Sequence, residues 1–227
     1  MAADRHDRLP LFPLGLVLFP GLVLPLHVFE ERYRVLVREL LARPADQRRF
    51  GVVAIREGRE VGADGVRALH EVGCVARLER AEPHPDGRFD VVTVGAERFR
   101  LHGLAEGRPY LLGEVELLPD ALGDADEAAV LRRAVAASYR AYLHDLGEAG
   151  GEAVDLDALP DEPTVLSYLV AATVLVDLAD RQALLEQPDT LARLGAELAL
   201  LRRERVLLGT LGAVPAPELT RAPLSPN

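Results

Sequence analysis

Between Leu9 and Phe29 the chain is almost wholly apolar, yet four prolines, Pro10, Pro13, Pro20 and Pro25, interrupt it at short intervals. No other stretch limits the fold so strongly. A membrane-spanning helix cannot lose backbone donors that often without other groups to satisfy the freed carbonyls. A secretory leader would need a small-residue cleavage site after the run, and none follows. Arg5 and Arg8 ahead of the run therefore do not make it a leader or an anchor. It reads as strands and turns of a buried core. Leu16-Val17-Leu18-Phe19 is expected to be one strand, Pro20-Gly21 a turn, and Val23-Leu24 the start of a second strand.

The pattern after this run changes twice. Glu31 to Ala42 places Tyr33, Leu36, Val37, Leu40 and Leu41 on one face and predicts a helix. Short β segments follow at Phe50 to Arg56, His70 to Glu79, Phe89 to Val94, Arg98 to Leu104 and Tyr110 to Leu118, with Asp86-Gly87 as a hairpin turn. Closely spaced strands with one inserted helix predict a small, partly closed barrel over residues 9–119. From Asp124 the period becomes helical. Asp124 and Glu127 form a capping-box-like start to a helix striped with Leu131, Val135, Tyr139, Tyr142 and Leu146. Glu148 to Asp161 reads as a loop. Pro163 opens a helix to about Leu178 that is apolar nearly all round, so it must be covered by its neighbours. Asp180 is expected to cap a short helix and Asp189 a longer one carrying Leu191, Leu194, Leu198, Leu201 and Leu208. The expected class is α+β: a β pseudo-barrel followed by a helical bundle over residues 124–209, then a Pro-rich tail over 213–227 expected to be disordered.

Composition removes several kinds of chemistry. All 26 basic residues are Arg, so there is no P-loop Lys, Schiff-base Lys or Ser–Lys dyad. A formal net charge of -10 disfavours nucleic acid and anionic membranes as partners. Cys74 is the only cysteine, which rules out an intrachain disulfide, fits a cytoplasmic setting and, within an apolar strand-like run, predicts a buried structural thiol. The six histidines are scattered. His27 in its apolar run is expected to be a hydrogen-bonded core residue and His84, between Pro83 and Pro85, an exposed turn residue. No metal site, cofactor site or catalytic residue is expected. Arg202, Arg203 and Arg205, interrupted by Glu204, read as a solvated face whose stems cover apolar surface.

The segments Leu9-Pro10-Leu11-Phe12-Pro13-Leu14, Val17-Leu18-Phe19-Pro20-Gly21 and Leu24 through Arg34 resemble the opening of the N-terminal, substrate-binding domain of Lon proteases. Phe50-Gly51-Val52-Val53, Val61-Gly62, Val72-Gly73 to Ala76, Asp86-Gly87-Arg88-Phe89, Gly95 to Arg100 and Pro109-Tyr110-Leu111 are similar to later landmarks of that family, in its order. The resemblance covers roughly Leu9 to Gly209. It implies a pseudo-barrel similar to the PUA fold, a helical subdomain, and a non-catalytic role in holding unfolded or exposed polypeptide, tied to proteolysis or quality control, with a protease or chaperone as partner. Lon proteases continue into ATPase and Ser–Lys peptidase modules, whereas this chain runs into its Pro-rich tail, so a stand-alone bacterial form is expected. PUA-like barrels elsewhere bind RNA, and that is the competing reading. The signature positions Pro20, Gly21, Phe29, Glu30, Arg32, Tyr33, Gly73, Asp86, Gly87, Arg98 and Phe99 are expected to define the fold rather than to touch a ligand. Among them Phe29 is expected to pack on Tyr33, Glu30 to pair with Arg34, and Arg98 and Phe99 to face outward and inward.

Overall fold

The computed structural model describes residues 7–58, 66–105, 107–148, 159–211 and 225–226. The chain separates into two compact units, Met1–Pro119 with Pro223–Asn227, and Asp120–Ala222.

The first unit is built from β1 (Asp7–Leu14), β2 (Val23–Val28), α1 (Glu31–Leu41), β3 (Arg49–Gly58), β4 (Val66–Leu69), β5 (Val72–Pro83), β6 (Phe89–Ala105) and β7 (Leu112–Leu118), with Ser225–Pro226 as a two-residue β8 parallel to β2. The pairings β1–β3, β1–β7, β7–β6, β6–β5 and β5–β3 form a closed circuit, and β2 and β4 extend it from β6 and β3. This is the expected pseudo-barrel. Phe12, Leu14, Leu26, Tyr33, Leu36, Leu40 and Phe50 fill one core beneath α1, and Leu11, Val53, Val75, Phe99 and Val115 fill a second.

The first strand differs from its expectation. It runs over Asp7–Leu14, while Leu16–Phe19 are not in a strand, with Val17, Leu18 and Phe19 buried and Leu16 partly so. β1 contains two prolines, Pro10 and Pro13, and the register explains how they are tolerated. β1 changes partner midway: Asp7 to Pro10 pair with β7, and Leu11 to Leu14 pair with β3. Leu11 N–H donates to the Leu111 carbonyl on the β7 side. Backbone donors alternate sides along a strand, so Pro13 faces β7 where that pairing has ended and Pro10 faces β3 before that pairing begins. Neither ring removes a ladder bond. Phe89 to Leu104, expected as two strands, is one long β6 with register shifts at its partners. Cys74 is buried, as expected, with its thiol against the Val75 carbonyl. Val61 and Gly62 lie outside the described residues.

The second unit holds α2 (Ala125–Glu148), α3 (Pro163–Thr173), α4 (Leu178–Leu185) and α5 (Thr190–Leu211). Asp124 caps α2 through the Glu127 N–H at 2.9 Å, and Asp189 caps α5 through the Ala192 N–H at 2.8 Å. The apolar helix is shorter than expected. It ends at Thr173, Val174 turns extended, and Asp177, not Asp180, caps α4 through the Asp180 N–H at 2.8 Å. Side chains take over the backbone groups freed at this break: Tyr142 accepts from the Leu175 N–H at 3.0 Å and Arg181 donates to the Val174 carbonyl at 3.2 Å. Burial pushes the Tyr142 phenol up to about 12, which keeps it an O–H group at neutral pH. Most of the expected loop Glu148–Asp161 and tail 213–227 lies outside the described residues.

Candidate functional site

The barrel carries a cleft of about 350 Å³ where β4 and the start of β5 meet the end of β6. Its apolar part is Leu69, Leu101 and Leu111, each partly buried and packed on the second core. Leu104 at the rim is 53% exposed and extends the apolar surface of the cleft outward. The polar part is Arg32, His70, Glu71 and His102. His102 Nε2 lies 3.1 Å from a Glu116 oxygen on the neighbouring β7. The Arg32 guanidinium pairs with Glu30 at 3.0 Å and lies 4.6 Å over the Tyr33 ring. Ala68 and Leu69 belong to β4, which ends the order of hydrogen-bonded strands and pairs with β3 on one side. Among the described residues the cleft thus combines apolar sockets with a strand edge.

A second cleft of about 280 Å³ is lined by Arg8, Arg43 and Arg49 with Asp7. Charge is unevenly divided between the two units. Met1–Pro119 holds 17 Arg against 18 Asp and Glu, while Asp120–Ala222 holds 9 against 18. The net charge that disfavours polyanions therefore belongs almost entirely to the helical unit.

The signature residues fall on turns and packing contacts of the barrel. Pro20-Gly21 forms a turn with Gly21 at φ 81°, and the Gly21 N–H donates to the Gly95 carbonyl at 2.8 Å. Asp86-Gly87 forms the hairpin turn, with Gly87 at φ 84° and Arg34 Nε donating to its carbonyl at 2.7 Å. Tyr33 stacks on Phe12 with ring centroids 4.0 Å apart, and Phe29 lies 6.5 Å from the His27 ring. Glu30 pairs with Arg32, and Arg34 pairs with Glu31 at 3.0 Å. Arg98 does not face water: it is 2% exposed beside the fully buried Phe99, and its guanidinium reaches the Pro119 carbonyl. Of the signature set, Arg32 alone lines the larger cleft. The leucines that make it attractive were invisible as a group because β4, β5, β6 and β7 are brought together only by the barrel register.

Two further groupings escaped the sequence. His27 Nδ1 lies 2.6 Å from one Asp90 oxygen and His84 Nε2 lies 2.7 Å from the other. Both imidazoles hold the Asp90 carboxyl below its ordinary value. On α5 the buried stripe includes Arg193, Glu197 and Glu204 among its leucines.

The closed strand circuit and the helical bundle are the architecture of Lon N-terminal domains. A Lon N-terminal domain protein from Xanthomonas campestris superposes with a TM-score of 0.58 at 26% identity, covering 85% of this chain and 98% of that one. The N-terminal domain of a Mycobacterium avium complex Lon protease shares the fold with a TM-score of 0.63 at 18% identity, covering 88% and 98%. The family model of the ATP-dependent protease La (LON) substrate-binding domain matches residues 8–203, and the chain belongs to that family. It is 31% identical over 207 residues to Lon protease 2 of Myxococcus xanthus and 29% identical over 211 residues to the Lon protease of Escherichia coli strain K12. These alignments cover 90% and 92% of this chain but 24% and 26% of those proteins. The match is to the substrate-binding domain, not to the ATPase or peptidase parts. Among the described residues, no helix is long and apolar enough to cross a membrane.

Proposed function

We propose that the chain recognises exposed polypeptide segments in the cytoplasm, without catalysing a reaction, and that it serves proteolysis or quality control alongside a protease or chaperone. The family supports a substrate-recognition role in proteolysis. The observation that carries the finer reading is the cleft of Leu69, Leu101, Leu104 and Leu111 beside the β4 edge. An extended segment adding to a strand edge is held by main-chain hydrogen bonds, which any sequence supplies, while alternate side chains enter apolar sockets. Burial at about 25 cal/mol per Å² then has to exceed the cost of ordering a floppy chain, so a small contact gives micromolar or weaker affinity.

The competing reading, RNA binding, draws on the Arg8, Arg43 and Arg49 cleft and on the near-neutral barrel. Salt separates the two. Apolar burial survives added salt, whereas phosphate contacts weaken steeply with ionic strength. Titration of a labelled unfolded protein and of a structured RNA, each at low and high salt, is expected to show salt-tolerant binding of the unfolded protein. Tight RNA binding that collapses with salt, with no binding of unfolded protein, would overturn the polypeptide reading.

A further inference from the structure

We propose that His27, His84 and Asp90 form a binding site for a divalent transition-metal ion of the zinc class. The three residues come from separate parts of the barrel unit: His27 from β2, His84 from the turn after β5, and Asp90 from the start of β6. One ligand atom from each, two imidazole nitrogens and a carboxylate oxygen, lies within 4.8 Å of the others. Tetrahedral zinc with bonds of about 2.0–2.1 Å needs its ligands roughly 3.3–3.5 Å apart. The present 2.6 and 2.7 Å hydrogen bonds between Asp90 and the two imidazoles are shorter than that. A carboxylate shift of under about 1 Å brings both Asp90–imidazole distances to that value, and any pair near the 4.8 Å limit has to close by about 1.5 Å at most.

The positions of these groups are fixed by backbone rather than by chance. His27 and Asp90 are direct cross-strand partners in the β2–β6 ladder. The turn bearing His84 is closed by its N–H donating to the Arg88 carbonyl at 2.8 Å and by the Gly87 N–H donating to the His84 carbonyl at 2.9 Å. Arg34 clamps the same turn through the Gly87 carbonyl. All three ligand residues are partly exposed, so an ion reaches them without unfolding. Two imidazoles and one carboxylate suit zinc, cobalt or nickel and suit magnesium or calcium poorly.

The ion-free network also states what has to change. Arg88 Nη1 donates to His27 Nε2 at 3.2 Å, which makes His27 the neutral Nδ1–H tautomer donating to Asp90. Coordination through Nδ1 moves that proton to Nε2 and displaces Arg88, which keeps its 2.7 Å bond to Asp86. His84 changes tautomer in the opposite sense, since its Nε2–H now faces Asp90. The ion replaces three hydrogen bonds, two to Asp90 and one from Arg88, with three coordinate bonds. Water takes the remaining position.

The test uses the untagged full chain. Calorimetry with zinc chloride is expected to show one equivalent bound, and cobalt(II) is expected to give the visible bands of a low-symmetry four-coordinate site. Magnesium chloride is expected not to compete. His84→Ala, on an exposed turn, is expected to weaken zinc at least about ten-fold, and Asp90→Asn likewise. His70→Ala and His102→Ala, elsewhere on the barrel, are expected to leave it unchanged. Long-range proton–nitrogen spectra are expected to show His27 changing from the Nδ1–H to the Nε2–H tautomer on titration. Absence of binding at millimolar zinc, or binding that His84→Ala leaves intact, would overturn the proposal. Neither result bears on polypeptide recognition, which uses another part of the barrel.

Discussion

The Phe99 ring occupies the space that a side chain at Gly73 would need. A Cβ on Gly73 would clash with Phe99 Cζ, lie 2.8 Å from Cε1 and lie 2.5 Å from the Val52 carbonyl oxygen. The two residues are register partners on β5 and β6, so the ring folds back over its own neighbour. Backbone bars one side and a fully buried ring the other, and neither gives way easily. Gly73→Ala is expected to lose about 1–3 kcal/mol of stability by denaturant titration. Phe99→Ala is expected to lose about 3–5 kcal/mol by opening a cavity. Combining Gly73→Ala with Phe99→Leu is expected to cost less than the two added together, because the smaller side chain vacates the space the new methyl needs. Strict additivity would show that the clash with the Val52 carbonyl dominates.

Leu104 tests the cleft. Since its side chain is largely in water, Leu104→Glu is expected to change stability by less than about 0.5 kcal/mol. Binding of unfolded polypeptide is expected to weaken by roughly ten-fold, as an apolar contact is lost and a charge has to be desolvated. Fluorescence anisotropy against one labelled unfolded protein reads both numbers when paired with a thermal melt. Unchanged binding would move recognition away from this cleft.

Without lysine the chain has no residue for a P-loop or a Ser–Lys dyad. Purified protein is therefore expected to hydrolyse neither ATP nor casein. Turnover that follows the chain through two different chromatographic columns would contradict this.

What the sequence disclosed, and what it hid, follows from the range of the signals. Local signals were readable: Gly87 and Gly21 at turns that need positive φ, and Asp124 and Asp189 as caps three residues ahead of the donors they bind. A barrel was also legible, through the spacing of strands and through the resemblance, though only as a partly closed one. Features set by register were not. β1 was misplaced because Leu16–Phe19 and Asp7–Leu14 both lie in one apolar run, and only the change of partner along β1 shows which of them pairs. The break after Thr173 was hidden because periodicity cannot locate an interruption in a run that is apolar on every side. His27 and His84 are 57 residues apart by number, and only the β2–β6 ladder and the hairpin bring them to one carboxylate. The leucines of α5 were read as the seam, yet Leu194 and Leu201 share the buried face with Arg193 and Glu197, which no leucine spacing announces.

Glu197 makes that last point measurable. It is fully buried on α5, one turn beyond Arg193, and neither of its carboxyl oxygens has a hydrogen-bond partner among the described residues. Burial holds its pKa well above the ordinary value of 4.5, and the pull of Arg193 in the other direction is the weaker effect. The sign of the linkage follows. Below the unfolded value both states hold the proton, and Glu197 makes no pH-dependent contribution. Between the unfolded value and the raised folded value, the unfolded chain has released a proton that the native state still holds. Stability then falls as pH rises, by at most about 1.4 kcal/mol per unit. Glu197→Gln keeps the shape and removes the titration. The difference between variant and parent is expected to move in favour of the variant as pH rises above the ordinary carboxylate value and to level off once the folded carboxyl has titrated, measured as urea unfolding free energy across pH. A difference that stays constant with pH would mean that the carboxyl titrates alike in both states, with the attraction of Arg193 offsetting burial.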